Sequence, residues 1–385
     1  MACGLRGASV LLLVVAVAAC GAAPVSKAKR ITQPVEADCF AGDQAACVAV
    51  GDRYRQGKGV ALDAARAVSL YDEGCSKGSA ACCGRMGWAL RRGFGTARDS
   101  ARAATLLSKA CKSTEQSACV EWGRMIGSGE TGQFSNAGVA AKLFSAACEA
   151  GDPSGCTQWA LALAHGHGTE ADANRGAALL RQTCDGGYPE ACVELGLLLH
   201  RGLAGERSPQ RARSLFRSAC EAGEGRGCLQ LALHLDPQTD LHTESKALAV
   251  QGCNAGEVEA CTYAARMLTE VGGDAATLQT VRNRGCQFGS GAMCAELAGR
   301  CVEQAGACSP EEAWQWLLRA CRGQDVTSCL HAGQLYEKGG VFAGKTIELD
   351  LSRASLFYQQ ACRLGASMGC QLDRDLPLPA GAAAE

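Results

Sequence analysis

The sequence has 385 residues, 25 of them cysteine, with a formal net charge of −1 and only 5% aromatic residues. A charge so near neutral removes the electrostatic case for a nucleic-acid partner. Length alone suggests two or three domains, but the cysteine spacing points to a different organisation.

The chain opens MACGLRGASVLLLVVAVAACGAAP. Arg6 precedes an apolar run from Ala8 to Ala19 that is too short to span a bilayer comfortably. It has the proportions of a cleavable export signal. Val17-Ala18-Ala19-Cys20 resembles the lipobox of bacterial lipoproteins. That resemblance implies a signal peptide over 1–19, cleavage before Cys20, and lipid on the Cys20 sulfur and new amino group. Several acyl chains anchor a protein almost permanently, since each buried methylene contributes roughly 0.8 kcal/mol. The alternative is an ordinary signal peptide cut near a cysteine. Residues 20–38 carry Pro24 and Pro34 and no apolar period, and read as a tether. Lys27, Lys29 and Arg30 either touch acidic headgroups or are simply solvated. No other segment is apolar enough to cross a membrane. The expectation is a soluble body held by its lipid anchor alone, at the outer membrane and in an oxidising space.

From residue 39 the cysteines fall on a ruler. Ten pairs are separated by eight residues. They are Cys39 with Cys47, Cys75 with Cys83, Cys111 with Cys119, Cys148 with Cys156, and Cys184 with Cys192. The rest are Cys220 with Cys228, Cys253 with Cys261, Cys286 with Cys294, Cys321 with Cys329, and Cys362 with Cys370. Successive pairs recur every 33 to 41 residues, and a fixed period in this range marks a solenoid. About nine units fill residues 39–372, and 373–385 reads as a disordered tail.

Each unit starts at the second cysteine of a pair, taken here as position zero. Position three is usually large and apolar (Val50, Met86, Trp122, Trp159, Leu195). Position four is always glycine or alanine (Gly51, Gly87, Gly123, Ala160, Gly196). Position seven is apolar (Tyr54, Leu90, Ile126, Leu163, Leu199). Zero, three, four and seven share one face of an α-helix, and the small residue predicts close packing against its backbone. Glycine at position ten then ends this helix in six units: Gly57, Gly93, Gly129, Gly166, Gly202 and Gly339. A second helix leads to the closing cysteine, with a bulky residue five positions before it, such as Leu106, Leu143 or Trp316. Ser208-Pro209 and Ser309-Pro310-Glu311-Glu312 supply explicit helix starts. The fold class is therefore all-α, a superhelical solenoid of helix-turn-helix repeats.

A tight turn between paired cysteines, such as EAGDPSG at 149–155, brings their α-carbons within disulfide range. Each bridge closes a small ring and stabilises by roughly 2–3 kcal/mol on the chain-entropy account. Zinc is the rival reading. It favours shorter Cys spacings with histidine partners, which do not recur here, so disulfides are preferred and no metal is expected.

C-x7-C, with A-C-x-x-x-G and G-x-G in the helix loop, resembles the Sel1-like repeat family. More closely it resembles the cysteine-rich branch of the Helicobacter cysteine-rich protein type. The resemblance covers about Cys39 to Cys370 and implies an α/α superhelix related to tetratricopeptide arrays. It further implies an interaction scaffold or, as in some of the branch, penicillin binding or weak β-lactamase activity. Units six and seven depart from the pattern, with Gln238 and Val271 at position ten.

Several motifs invite a chemical reading. GGVFAGKT at 339–346 matches the phosphate-loop pattern, which needs a strand before it and a helix after it. Gly339 is the helix-stopping glycine of the last unit and a helix precedes it, so no nucleotide is expected and the segment reads as a lengthened loop. His165 and His167 read as exposed loop histidines rather than metal ligands. The S-x-x-K of serine β-lactamases occurs only at Ser26–Lys29, in the tether. Cys301 and Cys308 are candidates for an extra bridge, against free thiols. Cys82 takes a slot filled elsewhere by alanine and is the candidate free thiol, able to exchange with a neighbouring disulfide if reactive. No catalytic residue and no cofactor is indicated. The function expected is a non-catalytic, lipid-anchored scaffold that binds a protein or peptide on its concave face.

Overall fold

The computed structural model describes residues 36–130, 135–203, 205, 207–235, 241–270, 274–304 and 308–377. Cys20, the signal peptide and Ser26–Lys29 lie outside them. A short helix α1 (Glu36–Phe40) leads into nine helical pairs. They are α2 (Gln44–Gln56) with α3 (Ala64–Ser76), α4 (Ala80–Arg92) with α5 (Ser100–Lys112), and α6 (Gln116–Ser128) with α7 (Ala137–Glu149). Then come α8 (Pro153–His165) with α9 (Ala173–Asp185), α10 (Pro189–Arg201) with α11 (Pro209–Glu221), and α12 (Gly225–Leu233) with α13 (Leu241–Asn254). The last three are α14 (Val258–Glu270) with α15 (Ala275–Gln287), α16 (Gly291–Glu303) with α17 (Pro310–Arg322), and α18 (Val326–Lys338) with α19 (Leu351–Arg363), before a closing α20 (Ser367–Asp375). Two boundaries shift from expectation. α1 takes up the last residues assigned to the tether, and Tyr54 Oη donates to its Glu36 at 2.5 Å. α20 runs past residue 372, and Leu376 beyond it is buried.

Local chemistry explains the helix ends. Glycine at position ten adopts left-handed φ of 67°, 72°, 76°, 72° and 73° at Gly57, Gly93, Gly129, Gly166 and Gly202, a conformation that costs a side-chain-bearing residue strain. Twelve residues before most closing cysteines stands a recurring cap. The carboxylates of Asp63, Asp99, Asp172 and Asp350 accept the backbone N–H three residues on, each at 2.9 Å. Ser309 forms the full capping box with Glu312, whereas Ser208, expected to cap in the same way, makes no side-chain cap bond. α12 stops early, at Leu233, where unit six lacks the loop glycine.

Small residues at position four receive an aromatic or leucine from the second helix. A Cβ on Gly51 would lie 2.4 Å from Tyr71, one on Gly123 2.7 Å from Phe144, one on Gly196 2.6 Å from Phe216, and one on Gly333 2.5 Å from Tyr358. These partners stand four positions before the closing cysteine, not five. Tyr71, Leu107, Leu180, Phe216 and Tyr358 are fully buried, while Leu106, Leu143, Leu179 and Trp316 are only partly covered. One helical position turns the side chain by about 100°, which separates the core from its margin.

All ten C-x7-C pairs are joined, with Sγ–Sγ of 1.93–2.08 Å and Cα–Cα of 4.3–4.8 Å. Cys39 bonds Cys47 and so ties α1 to α2. Every other bridge ties the second helix of one unit to the first helix of the next. Cys75 bonds Cys83, Cys111 bonds Cys119, Cys148 bonds Cys156, and Cys184 bonds Cys192. Cys220 bonds Cys228, Cys253 bonds Cys261, and Cys286 bonds Cys294. Cys321 bonds Cys329, and Cys362 bonds Cys370. Cys301 and Cys308 are joined as well.

The final unit departs from a plain loop. After Gly339, whose ψ of 173° takes it out of the left-handed cap, β1 (Gly340–Phe342) pairs antiparallel with β2 (Lys345–Ile347). Ala343 and Gly344 both have positive φ in the connecting turn, as a two-residue hairpin turn requires. The hairpin buries Phe342 and Ile347 against Trp314 and Tyr336.

The superhelix also comes back upon itself. Phe288, in the turn after α15, packs against the apolar cluster of the second unit that includes Met86, Leu90 and Phe94. A Cβ on Gly93 would lie 3.5 Å from the Arg322 carbonyl oxygen at the end of α17. Units two and eight are therefore in contact across a full circuit of the chain.

Candidate functional site: an inner groove of paired charges

Successive first helices touch one another, α4 with α6, α6 with α8, α8 with α10 and α10 with α12. They form an inner wall. Their core face carries positions zero, three, four and seven, so positions −2, 2 and 5 point the other way and position eight lies on the flank, as helical geometry demands. These positions line a groove of about 760 Å3 that runs from Arg55 in unit one to Glu257 before unit seven.

The groove wall is built from ion pairs that link unit to unit. Arg85 reaches Asp52 at 3.3 Å, Arg91 reaches Glu121 at 2.8 Å and Glu130 at 2.9 Å, and Arg226 reaches Glu194 at 2.7 Å. Arg124 donates to Glu121 at 2.6 Å and to Glu190 at 3.2 Å, and Tyr188 Oη donates to the other Glu190 oxygen at 2.9 Å. Burial alone would raise the Glu121 carboxyl, but the Arg124, Arg91 and Arg92 charges outweigh it and hold it below the ordinary range. Burial pushes Glu224 and Glu257 upward, and no arginine reverses it there. Burial likewise disfavours the charge on Arg92, which has no carboxylate among the described residues at ion-pair distance. It lies instead over the Trp88 ring, 5.5 Å from the centroid, with Arg55 at 5.4 Å from the same ring.

Such a wall combines fixed charges of both signs with exposed parts of Trp88 and Tyr188. It presents donors, acceptors and an aromatic platform at intervals set by the repeat. Among the described residues no three His, Cys, Asp or Glu side chains converge as metal ligands. None of the groove residues was singled out from the sequence. The signal was present in Glu121, Arg124, Glu190, Glu194 and Arg226, which are charged residues on the face opposite the core pattern.

Of the residues that were singled out, His165 and His167 line an adjoining pocket that shares Arg91, Arg124, Gln158 and Glu194 with the groove, and the others fall elsewhere. Cys82 is the free cysteine among the described residues. It is fully buried, and burial raises its thiol. His165 and His167 are exposed, with their rings stacked at 5.4 Å. Gly344, Lys345 and Thr346 of the phosphate-loop pattern lie in the hairpin turn and β2, and Lys345 Nζ pairs with Glu311. The helix that would have to start there begins only at Leu351, so the backbone amides needed to cradle phosphate are not assembled.

The Sel1 repeat family model matches residues 44–79, 80–114, 116–152, 153–188, 189–224, 287–325 and 327–365, together more than half of the chain. It passes over 225–286, where units six and seven depart from the pattern. Similar solved structures include a protective antigen of uropathogenic Escherichia coli strains displaying an SLR fold (TM-score 0.41, 21% identity, 89% of this chain and 74% of that one). A Sel1 repeat protein from Oxalobacter formigenes has a TM-score of 0.42 at 20% identity, over 56% of this chain and 89% of that one. The immunity protein Pa5087 from Pseudomonas aeruginosa has a TM-score of 0.34 at 15% identity, over 59% and 88%. No curated protein matches the chain.

Proposed function

Because the chain belongs to the Sel1 repeat family, we propose that it is a non-catalytic, lipid-anchored scaffold of the cell envelope whose inner groove holds an extended protein segment. Sel1 repeats generally mediate protein–protein interaction. The observation that carries the reading is the unit-to-unit wall of Arg91, Glu121, Arg124, Glu190, Glu194 and Arg226 with Trp88 and Tyr188. A repeat array offers an extended surface of this kind to a chain rather than to a compact molecule. The rigid, prepaired side chains lower the ordering cost of binding. The disulfides at every C-x7-C, with the further bridge at Cys301 and Cys308, support an oxidising, extracytoplasmic location. The C-x7-C ruler supports placement in the cysteine-rich branch. Among the described residues no helix is long and apolar enough to cross a membrane. The lipobox-like Val17–Cys20 supports attachment through lipid on Cys20, at the outer membrane.

The test places a photo-crosslinking amino acid at Gln158 in the groove or at Thr105 on the exposed side of α5, in cells. The reading expects discrete protein adducts from Gln158 and none from Thr105, with the Gln158 adducts lost in Trp88→Ala. Equal adducts at both positions would remove the groove as the binding surface. The anchor is tested separately, because Cys20→Ser should release the protein from membranes.

A further inference from the structure

The charges along the inner groove are sorted by sign. Units one and two line it with Arg55, Arg85, Arg91 and Arg92 and with no carboxylate. From Tyr188 onward it is lined by Glu190, Glu194, Glu224 and Glu257, with Arg226 as the one cation. Between these stretches unit three supplies one charge of each sign, Glu121 and Arg124.

The basic end is short of counter-charge. Arg55 and Arg85 share one carboxylate, that of Asp52, at 3.1 and 3.3 Å. Arg55 and Arg92 both stand against the Trp88 ring, at 5.4 and 5.5 Å from its centroid, and Arg92 has no carboxylate of its own. Three guanidiniums thus gather around one indole and one carboxylate. The Arg55 and Arg85 side chains are 27% and 31% exposed, so solvent screens them only in part.

The acidic end is the converse. Arg226 is committed to Glu194 at 2.7 Å. Glu224 and Glu257 are half-buried and meet no cation at ion-pair distance among the described residues. Each accepts only a long backbone hydrogen bond of 3.4 Å, from the N–H of Arg226 and of Glu259. The two adjoin, since a Cβ on Gly225 would lie 2.7 Å from the Glu257 Cβ. The circuit of the chain then carries this end back to the first. Phe288 packs on the unit-two cluster around Leu90 and Phe94, and a Cβ on Gly256 would lie 3.4 Å from the Phe288 ring. Arg92 and Glu257 act on each other there without forming a pair. Opposite charges brought near and left unpaired leave a place for the charges of an occupant.

We propose that the segment held in the groove is ampholytic, with an acidic side chain seated among Arg55, Arg85 and Arg92 against Trp88 and a basic side chain between Glu224 and Glu257. This rests on the groove being the protein-binding surface and adds the chemistry of the partner. Guanidinium forks match a carboxylate, and a lysine or arginine supplies the cation that the two glutamates lack. A segment of one sign would satisfy one end and set like charges against the other. Complementarity of this kind fixes register and excludes wrong partners.

The experiment is fluorescence anisotropy of the intact protein with four labelled peptides of equal length and apolar content at one ionic strength. One carries a glutamate block and a lysine block, one only glutamate, one only lysine, and one serine at every charged position. The two-block peptide should bind at least about tenfold more tightly than each of the others. Glu224→Gln/Glu257→Gln should abolish its advantage over the all-glutamate peptide and bind that peptide more tightly than the parent does. Arg92→Gln should shift preference the opposite way, toward the all-lysine peptide. Opposite shifts of this kind do not arise from loss of folding. Four peptides that bind alike or not at all, or variants that weaken every peptide equally, would overturn the proposal. Gln158 adducts that persist in cells beside such a result would leave the groove as a binding surface of another chemistry, and their absence would remove both.

Discussion

Arg124 donates to Glu190 at 3.2 Å and so joins the first helix of the third unit to that of the fifth, 66 residues on. Repeat arrays normally make contact only between neighbours. Side chains two units apart meet only where curvature has shortened the path between helices, which identifies α6, α8 and α10 as the concave side. Both side chains are about one-fifth exposed, so solvent screens the pair only in part. A double-mutant cycle of Arg124→Gln and Glu190→Gln should give a coupling of about 0.5–1.5 kcal/mol in denaturant unfolding. A coupling indistinguishable from zero would show that the link does not support the curvature.

Glu121 and Glu257 should respond to pH with opposite signs. The arginines hold Glu121 below its unfolded value near 4.5, so its contribution is present above that value and lost as pH falls through the folded one. Glu121→Gln should lower stability at pH 7 by about 1–3 kcal/mol and flatten the acid limb below pH 4.5. Burial raises Glu257 above 4.5, so its favourable contribution is present below 4.5 and lost as pH rises through the folded value. Glu257→Gln should therefore raise Tm at pH 7, and the difference should close by pH 4. Thermal melts across pH 3–8 read both effects.

Position four leaves no room for a methyl group. Gly123→Ala removes a glycine from a helix interior, which by propensity alone should stabilise. The new Cβ would lie 2.7 Å from Phe144, and overpacking of this kind costs about 1–3 kcal/mol. The expected outcome is a net loss in urea unfolding, partly recovered by Phe144→Leu. A stabilised single variant would show that the ring gives way freely.

A Cβ on Gly74 would lie 2.3 Å from the Cys82 sulfur, and burial, opposed in part by the Ser79 hydroxyl, raises the thiol. A buried, protonated thiol is a poor nucleophile. Differential alkylation with peptide mapping should label the Cys82 peptide only in denaturant, and Cys82→Ala should change stability by less than about 1 kcal/mol. Labelling of the native protein would restore a redox role.

Much of this protein was legible along the chain because the relevant physics is local. An apolar residue at zero, three and seven, a small one at four, and glycine at ten each act within one or two helical turns. They specify the helical hairpin whatever lies beyond it. The eight-residue spacing, as from Cys148 to Cys156 or Cys184 to Cys192, spans a single turn of chain. Local reading also had a limited angular resolution. It favoured Leu106 and Leu143 where Leu107 and Phe144 fill the core, and it read a loop where Phe342 and Ile347 anchor a hairpin.

The tertiary structure decided what depends on the summed rotation of many units. Each unit turns slightly relative to the last, and only the accumulated angle brings Phe288 to the cluster around Phe94 and Gly93 to the Arg322 carbonyl. The same accumulation turns the charges at positions −2, 2 and 5 inward, so that Arg124 meets Glu190. A repeat pattern records the geometry of one step, and the closure of the circuit is a property of all the steps together.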